Sequence, residues 1–141
     1  MTGRVVKSNE KTGVGVRTVG RIKIEKYTSI APEIRTNEVI ITDERISHII
    51  ERRGIEFYEK YGKEFGSIVE HPDYIFKDGK ENTALVCKRF YEDGKYINIV
   101  LRIAVSTDNP EYKNSIITAV GESERRFEQR LRNNFPIYKR E

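Results

Sequence analysis

The stretch Ile40-Ile-Thr-Asp-Glu-Arg-Ile-Ser-His48-Ile-Ile-Glu-Arg-Arg53 sets a histidine among arginines. At ~100° per residue, Ile46, Ile49 and Ile50 form one apolar stripe of a helix. Arg45, His48 and Arg52, at i, i+3 and i+7, line up roughly opposite that stripe. An imidazole has the right pKa to give or take a proton near neutral pH, and guanidinium groups stabilise charge on phosphate oxygens. The chemistry this suits is metal-free RNA cleavage. There the ribose 2′-OH attacks the adjacent phosphorus, and the protein supplies a base, an acid and positive charge. A merely solvated basic face would carry the same residues.

Other chemistries find less support. Two His and one Cys without clustered spacing do not make a zinc site. Pro72-Asp73 followed by Val86-Cys87-Lys88 approaches a magnesium-dependent nuclease pattern, but Val86 stands where the second carboxylate belongs. The phosphate-binding Gly-x-x-x-x-Gly-Lys-Ser/Thr, the dinucleotide Gly-x-Gly-x-x-Gly and the hydrolase Gly-x-Ser-x-Gly are all missing from the sequence. No metal and no cofactor are therefore expected. Cys87 alternates into a core and is expected to be inert. His71, next to Pro72 at a helix end, is expected to meet terminal carbonyls rather than a substrate.

The elements that must position these residues follow from period and punctuation. Thr42 or Asp43 caps the first helix and Gly54 ends it. Phe57, Tyr58, Tyr61, Phe65, Ile68 and Val69 keep helical spacing as far as His71-Pro72, giving a second helix weakened by Gly62 and Gly66. From Asp73 the period becomes two, with strands at Tyr74–Lys77, Thr83–Phe90, Tyr96–Val105 and Asn114–Val120. Asp78-Gly79 and Asp93-Gly94 mark antiparallel hairpins. A polar helix runs from about Glu122 to Asn133. The expected class is α+β: two N-terminal helices packed on a four-stranded antiparallel meander sheet, with a C-terminal helix. Ile97, Ile99, Leu101 and Ile103 would face the helices, leaving Tyr96, Asn98, Val100 and Arg102 on an open face. Taking Leu85 and Cys87 as inward puts Lys88 on that open face too, and Ile117 inward puts Thr118 there.

Length and composition bound the rest. The 141 residues suit one domain, with 34% charged residues and 37% hydrophobic ones. No apolar run is long enough for a membrane span, and no secretory h-region is expected from the N-terminus. The net charge of +4 is uneven: residues 1–35 carry eight Lys/Arg against three Asp/Glu. They read as a basic arm, its first 20 residues a flexible stretch or a loose hairpin, with a short strand at Arg21-Ile-Lys-Ile-Glu, ahead of a nearly neutral domain over 36–141. Such an arm suits attraction to a nucleic-acid backbone, or simple solvation.

Several motifs in order carry a resemblance: Ile41-Thr-Asp-Glu-Arg-Ile-Ser-His48-Ile, Glu70-His-Pro-Asp-Tyr-Ile75, Thr83-Ala-Leu-Val-Cys-Lys88, Asn114-Ser-Ile-Ile-Thr118 and Ile137-Tyr-Lys139. Over roughly residues 36–141 the chain resembles a family of prophage-associated proteins with a barnase–EndoU–colicin–RelE-like nuclease fold, its second phage-type group. The resemblance implies a metal-independent RNase domain found in phage and toxin settings. Carried over by position, His48, Lys88, Thr118 and Tyr138 would be the catalytic residues. Lys139 comes with Tyr138, and together with Arg45, Arg52 and Arg102, which the helix and strand phases supply, it would contact phosphate.

Two functions follow as expectations. One is a metal-independent endoribonuclease of phage or prophage origin, leaving 2′,3′-cyclic phosphate and working in the cytoplasm of a bacterial host. The other is a non-catalytic phage protein that binds RNA or a protein partner. The partner classes are RNA, tRNA among them, and an immunity or phage protein, with no membrane.

Overall fold

The structure is a computed structural model; it describes residues 5–9 and 14–141, with side chains from residue 15 onward. In chain order the elements are β1 (Val5–Asn9), β2 (Val14–Arg21), β3 (Glu38–Thr42), α1 (Asp43–Arg53), α2 (Ile55–Tyr61) and α3 (Phe65–Glu70). They continue as β4 (Tyr74–Lys77), β5 (Thr83–Phe90), β6 (Lys95–Arg102), β7 (Asn114–Ser123), α4 (Glu124–Asn133) and β8 (Tyr138–Lys139). Among the described residues, eight strands form one sheet in the order β1-β2-β3-β7-β6-β5-β4-β8.

The expected fold class is corrected by this sheet. The sequence pattern implied a four-stranded antiparallel meander preceded by two helices. The sheet is instead mixed and twice as wide, because β3 joins β7 in parallel, with Val39 beside Asn114 and Ile40 beside Ser115. β2 then pairs antiparallel along β3. The strand expected at Arg21–Glu25 is also corrected: β2 ends at Arg21, and Ile24–Lys26 is a single 3-10 turn. Asn114 ties the parallel junction. Its Oδ1 accepts from the Ala104 N–H at 2.8 Å and its Nδ2 donates to the Thr36 carbonyl at 2.8 Å.

Local chemistry explains the helices. Thr42 caps α1, its hydroxyl accepting the Arg45 N–H at 3.2 Å, and Asp43 and Glu44 complement the dipole in the first turn. Gly54, at φ 98°, breaks the chain between α1 and α2. The single second helix expected from Phe57 to Val69 is two, α2 and α3, joined by a 3-10 turn over Gly62–Glu64. Gly66 shows why a small residue is needed beyond the break. A Cβ there would stand 2.6 Å from the Val19 carbonyl oxygen, so α3 packs directly against the β2 backbone.

Both faces of the sheet are covered, and this decides where side chains point. Helices α1 to α3 and the segment through Ile22, Tyr27 and Ile30 cover the first face, over Val39, Ile97, Ile99, Leu101 and Ile116. Helix α4 covers part of the second face, where Phe127 packs among Tyr74, Phe76 and Tyr96. The Tyr96 and Phe127 rings stack at 3.7 Å between centroids and 10° between planes. The open face expected for Tyr96 is thus closed over β4, β5 and β6. What remains uncovered is the part beyond α4, around β7 and β3.

Candidate functional site

The sheet separates the residues that the sequence grouped. His48 is half-buried on α1, whose Ile46 and Ile49 pack on the first face. The α1 C-terminus is held at the sheet by Arg53, whose Nε donates to the Ala119 carbonyl at 3.0 Å. Among the described residues the side chains of Arg45, His48 and Arg52 make no hydrogen bond or ion pair.

Lys88 departs from the expected open face. It stands opposite Ile97 in the ladder, and so shares the first face with Ala84 and Val86. The phase slipped because Thr83–Cys87 is buried on both sides, so alternation does not say which residues meet α1 to α3. Leu85 and Cys87 are buried instead beneath α4. Desolvation pushes the Cys87 thiol well above its ordinary value, the state of an unreactive cysteine. Lys88 Nζ donates to the His71 carbonyl at 2.8 Å.

Thr118 lies on the second face, opposite Val100. The phase that placed Ile117 inward is corrected. A bulge opposite Val100 and Leu101 lets Ile116 and Ala119 both reach the first face. His48 and Thr118 therefore stand on opposite sides of the sheet, and two strand spacings of about 4.8 Å separate the β5 of Lys88 from β7. Arg102 shares the second face, but its guanidinium binds both Asp108 carboxylate oxygens, at 3.2 and 3.1 Å, and the Ile103 carbonyl. Tyr138 and Lys139 form the edge strand β8 against β4, and Lys26 Nζ stands 4.4 Å from the Tyr138 ring centroid. The eight candidates thus spread over both faces and one edge. They do not share a cleft.

A different group converges where α4 leaves β7. A hollow of about 480 Å³ opens beside the uncovered second face, lined by Asn98, Val120, Glu122, Ser123, Arg126 and Arg130 among others. Asn98, 1% exposed, donates from Nδ2 to Glu122 Oε1 at 2.8 Å. Arg130 grips the same carboxylate with two bonds, at 3.2 and 3.0 Å. Asn98 Oδ1 is left buried with no donor, and so is Thr118 Oγ1, on the adjoining residue pair of the β6–β7 ladder. Buried acceptors of this kind are uncommon and call for a partner.

Charge at the hollow's mouth is positive once pairs cancel. Glu122 is matched by Arg130, and Glu124 by Arg89 at 3.0 Å. Arg125 and Arg126 are exposed and have no partner among the described residues. Ser123 caps α4, its hydroxyl accepting the Arg126 N–H at 3.2 Å, so the positive end of the helix dipole lies at the same place. Sequence reading put Asn98 on the right side of β6 but passed over Arg126, Arg130 and Glu122. The available signal was the Ser123-Glu-Arg-Arg helix start directly after a strand.

A second cluster surrounds the end of α3. Asp73, almost buried, accepts the Arg89 N–H at 2.7 Å and meets Arg140 Nε at 2.8 Å. Lys88 is held on the His71 backbone carbonyl, and the exposed His71 imidazole stands with its Nε2 4.0 Å from Glu70 Oε2. Among the described residues, no three His, Cys, Asp or Glu side chains are grouped so that they could hold a metal ion. Nor, among those residues, is any helix long and apolar enough to cross a membrane. Compared with protein-family models, with curated proteins and with solved structures, the chain matches none.

Proposed function

We propose that this protein binds RNA without cleaving it, through the hollow between β7 and the start of α4. The observation that carries this reading is the pair of free guanidinium groups, Arg125 and Arg126, at the start of α4 beside the hollow, where the neighbouring carboxylates are already neutralised. Cations there attract the phosphate backbone, and the positive end of the α4 dipole adds to them. The net charge of +4 favours the same partner. Cleavage is argued against by the division of His48, Lys88 and Thr118 between two faces, since general acid–base work needs its groups within reach of one phosphodiester.

The test is a titration of full-length protein with a labelled single-stranded RNA at several salt concentrations, with EDTA present. Binding should weaken with salt, and the Arg125→Ala, Arg126→Ala double variant should lower the logarithmic slope by ~0.7 per lost phosphate contact. RNA should be recovered intact. Fragments ending in 2′,3′-cyclic phosphate would overturn this reading.

A metal-independent ribonuclease of phage type is the second reading, and the corner of His71, Lys88, Asp73 and Arg140 favours it. There the imidazole would move the proton and the cations would hold the phosphate. His71→Ala should then lower cleavage by ~10²-fold or more, while His48→Ala should leave it unchanged.

A further inference from the structure

We infer that the Asp78-Gly79 peptide in the β4–β5 hairpin is a site of spontaneous covalent modification, at which aspartate converts to isoaspartate. The sequence holds two Asp-Gly pairs, each between neighbouring strands, and their surroundings differ. The reaction needs a free backbone nitrogen after the aspartate, a carboxyl able to lie against it, and no side chain in the way. The Gly79 nitrogen attacks Asp78 Cγ and gives up its proton, and a carboxyl oxygen leaves as water, closing a five-membered succinimide. One water then adds back. Opening at Cγ restores aspartate, while opening at the former main-chain carbonyl gives isoaspartate, with the chain running through Cβ and Cγ. Nothing is oxidised or reduced, and the mass is unchanged.

The turn after β4 meets all of these needs. Asp78 Oδ2 accepts the Lys80 N–H at 3.2 Å, which folds the carboxyl back over the peptide between them. The ring of atoms closed by that bond contains the Gly79 nitrogen, so nucleophile and Cγ share one small loop. The Gly79 N–H meets no acceptor among the described residues, whereas the Asp78 N–H is spent on the Thr83 carbonyl at 2.9 Å. Gly79 is exposed, and a Cβ there would touch nothing within 4 Å. The added main-chain carbon would lengthen a turn that carries Asn82, whose carbonyl accepts the Ile103 N–H at 2.8 Å, and so loosen the tie to the end of β6.

Asp93-Gly94 has the same two residues and as much room, since a Cβ on Gly94 also meets nothing within 4 Å. Its reacting groups are engaged. Lys60 Nζ donates to Asp93 Oδ1 at 2.9 Å, and Tyr61 Oη donates to Oδ2 at 2.7 Å. These bonds, Lys60 first, hold the carboxyl below its ordinary range, away from the neutral acid whose hydroxyl leaves as water. The Gly94 N–H donates to the Tyr91 carbonyl at 3.2 Å. Asp93 is protected by the fold, and Asp78 is not.

The experiment ages full-length folded protein at neutral pH and physiological temperature for several weeks, beside the same chain in guanidinium chloride. Chymotryptic peptides 77–85 and 92–96 each hold one aspartate, and electron-transfer fragmentation separates isoaspartate from aspartate in each. Folded protein should accumulate isoaspartate at residue 78 at least about tenfold faster than at 93, the effect of giving up one hydrogen bond to a charged group. In guanidinium chloride the two rates should converge. Gly79→Val has room for its side chain and a backbone outside the left-handed region, and should suppress the reaction at 78 alone. Lys60→Met with Tyr61→Phe should raise it at 93; where a thermal melt shows that pair unfolded, Lys60→Met alone is read. Aged folded protein with no isoaspartate at residue 78 would overturn the site. Equal accumulation at 78 and 93 in folded protein would overturn it too, because the surroundings would then decide nothing.

Discussion

Arg102 illustrates how a residue type is re-employed by its surroundings. Its guanidinium, read from the sequence as a phosphate contact, braces the loop after β6 through Asp108. Asp108 also accepts the Val105 N–H at 2.9 Å, and that bond first, then Arg102, holds its carboxyl below the ordinary range. The sign follows from the lowered folded-state value. The stabilisation is fully present above the unfolded aspartate pKa of about 3.9 and is lost as pH falls through the folded value. Asp93 behaves alike, lowered by the Lys60 hydrogen bond and then by that of Tyr61. Melting temperatures recorded from neutral pH down into the acid limb should fall below about pH 4, and Asp108→Asn should flatten that fall. Thr118→Val gives an opposite residue-scale outcome. The swap keeps the branched shape and removes a hydroxyl that is buried without a partner, so stability should hold or rise in a thermal melt.

At the scale of elements, α4 and α3 are fastened by different means. Helix α4 has one large anchor, Phe127, fully buried among three aromatic rings on the second face. Phe127→Ala should cost about 3–5 kcal/mol by denaturant melt, and should also disorder the hollow. Helix α3 is held by closeness. Gly66 lies against Val19 and, across the gap, against Gly20, so neither backbone can retreat without moving its element. Gly66→Ala should destabilise by about 1–3 kcal/mol despite adding apolar surface, because the neighbour it meets is backbone. A stable Gly66→Ala protein would show that β2 and α3 slide freely.

Across the whole molecule, the decisive feature is a sheet covered on both faces by layers of unlike extent. The first-face layer of α1 to α3 spans the sheet's middle, while α4 shields only part of the second. That leaves an uncovered patch whose edge carries arginines, on a chain of sequence pI about 9.1. It also places the sheet between His48 and Thr118. His48→Ala should therefore change neither RNA affinity at the hollow nor the melting temperature by much, as anisotropy and thermal melts of the full chain would show. A large loss of RNA binding in that variant would shift the interface to the α1 side.

What the sequence determined by itself was local. Thr42 and Gly54 bounded α1, and the two Asp-Gly pairs separated strands that begin and end where the apolar alternation does, as at Tyr74–Lys77 and Thr83–Phe90. Caps and turns act within a few residues, so neighbouring letters suffice to read them. Other outcomes required the tertiary structure. The β3–β7 pairing joins strands over 70 residues apart, and no periodic signal announces which edges meet. The face of Lys88 stayed illegible because burial of β5 on both sides makes Ala84 and Leu85 equally apolar. The inward placement of Ile117 failed at a bulge, a shift of one residue that exchanges faces. It brings Ile116 and Ala119 to the first face and leaves Thr118 on the second, where its phase had put it. The hollow depended on α4 folding back over the sheet, which set Glu122 and Arg130 around Asn98. Chemistry was written in the residue types, but which of them could act together was fixed only when the strands chose their neighbours.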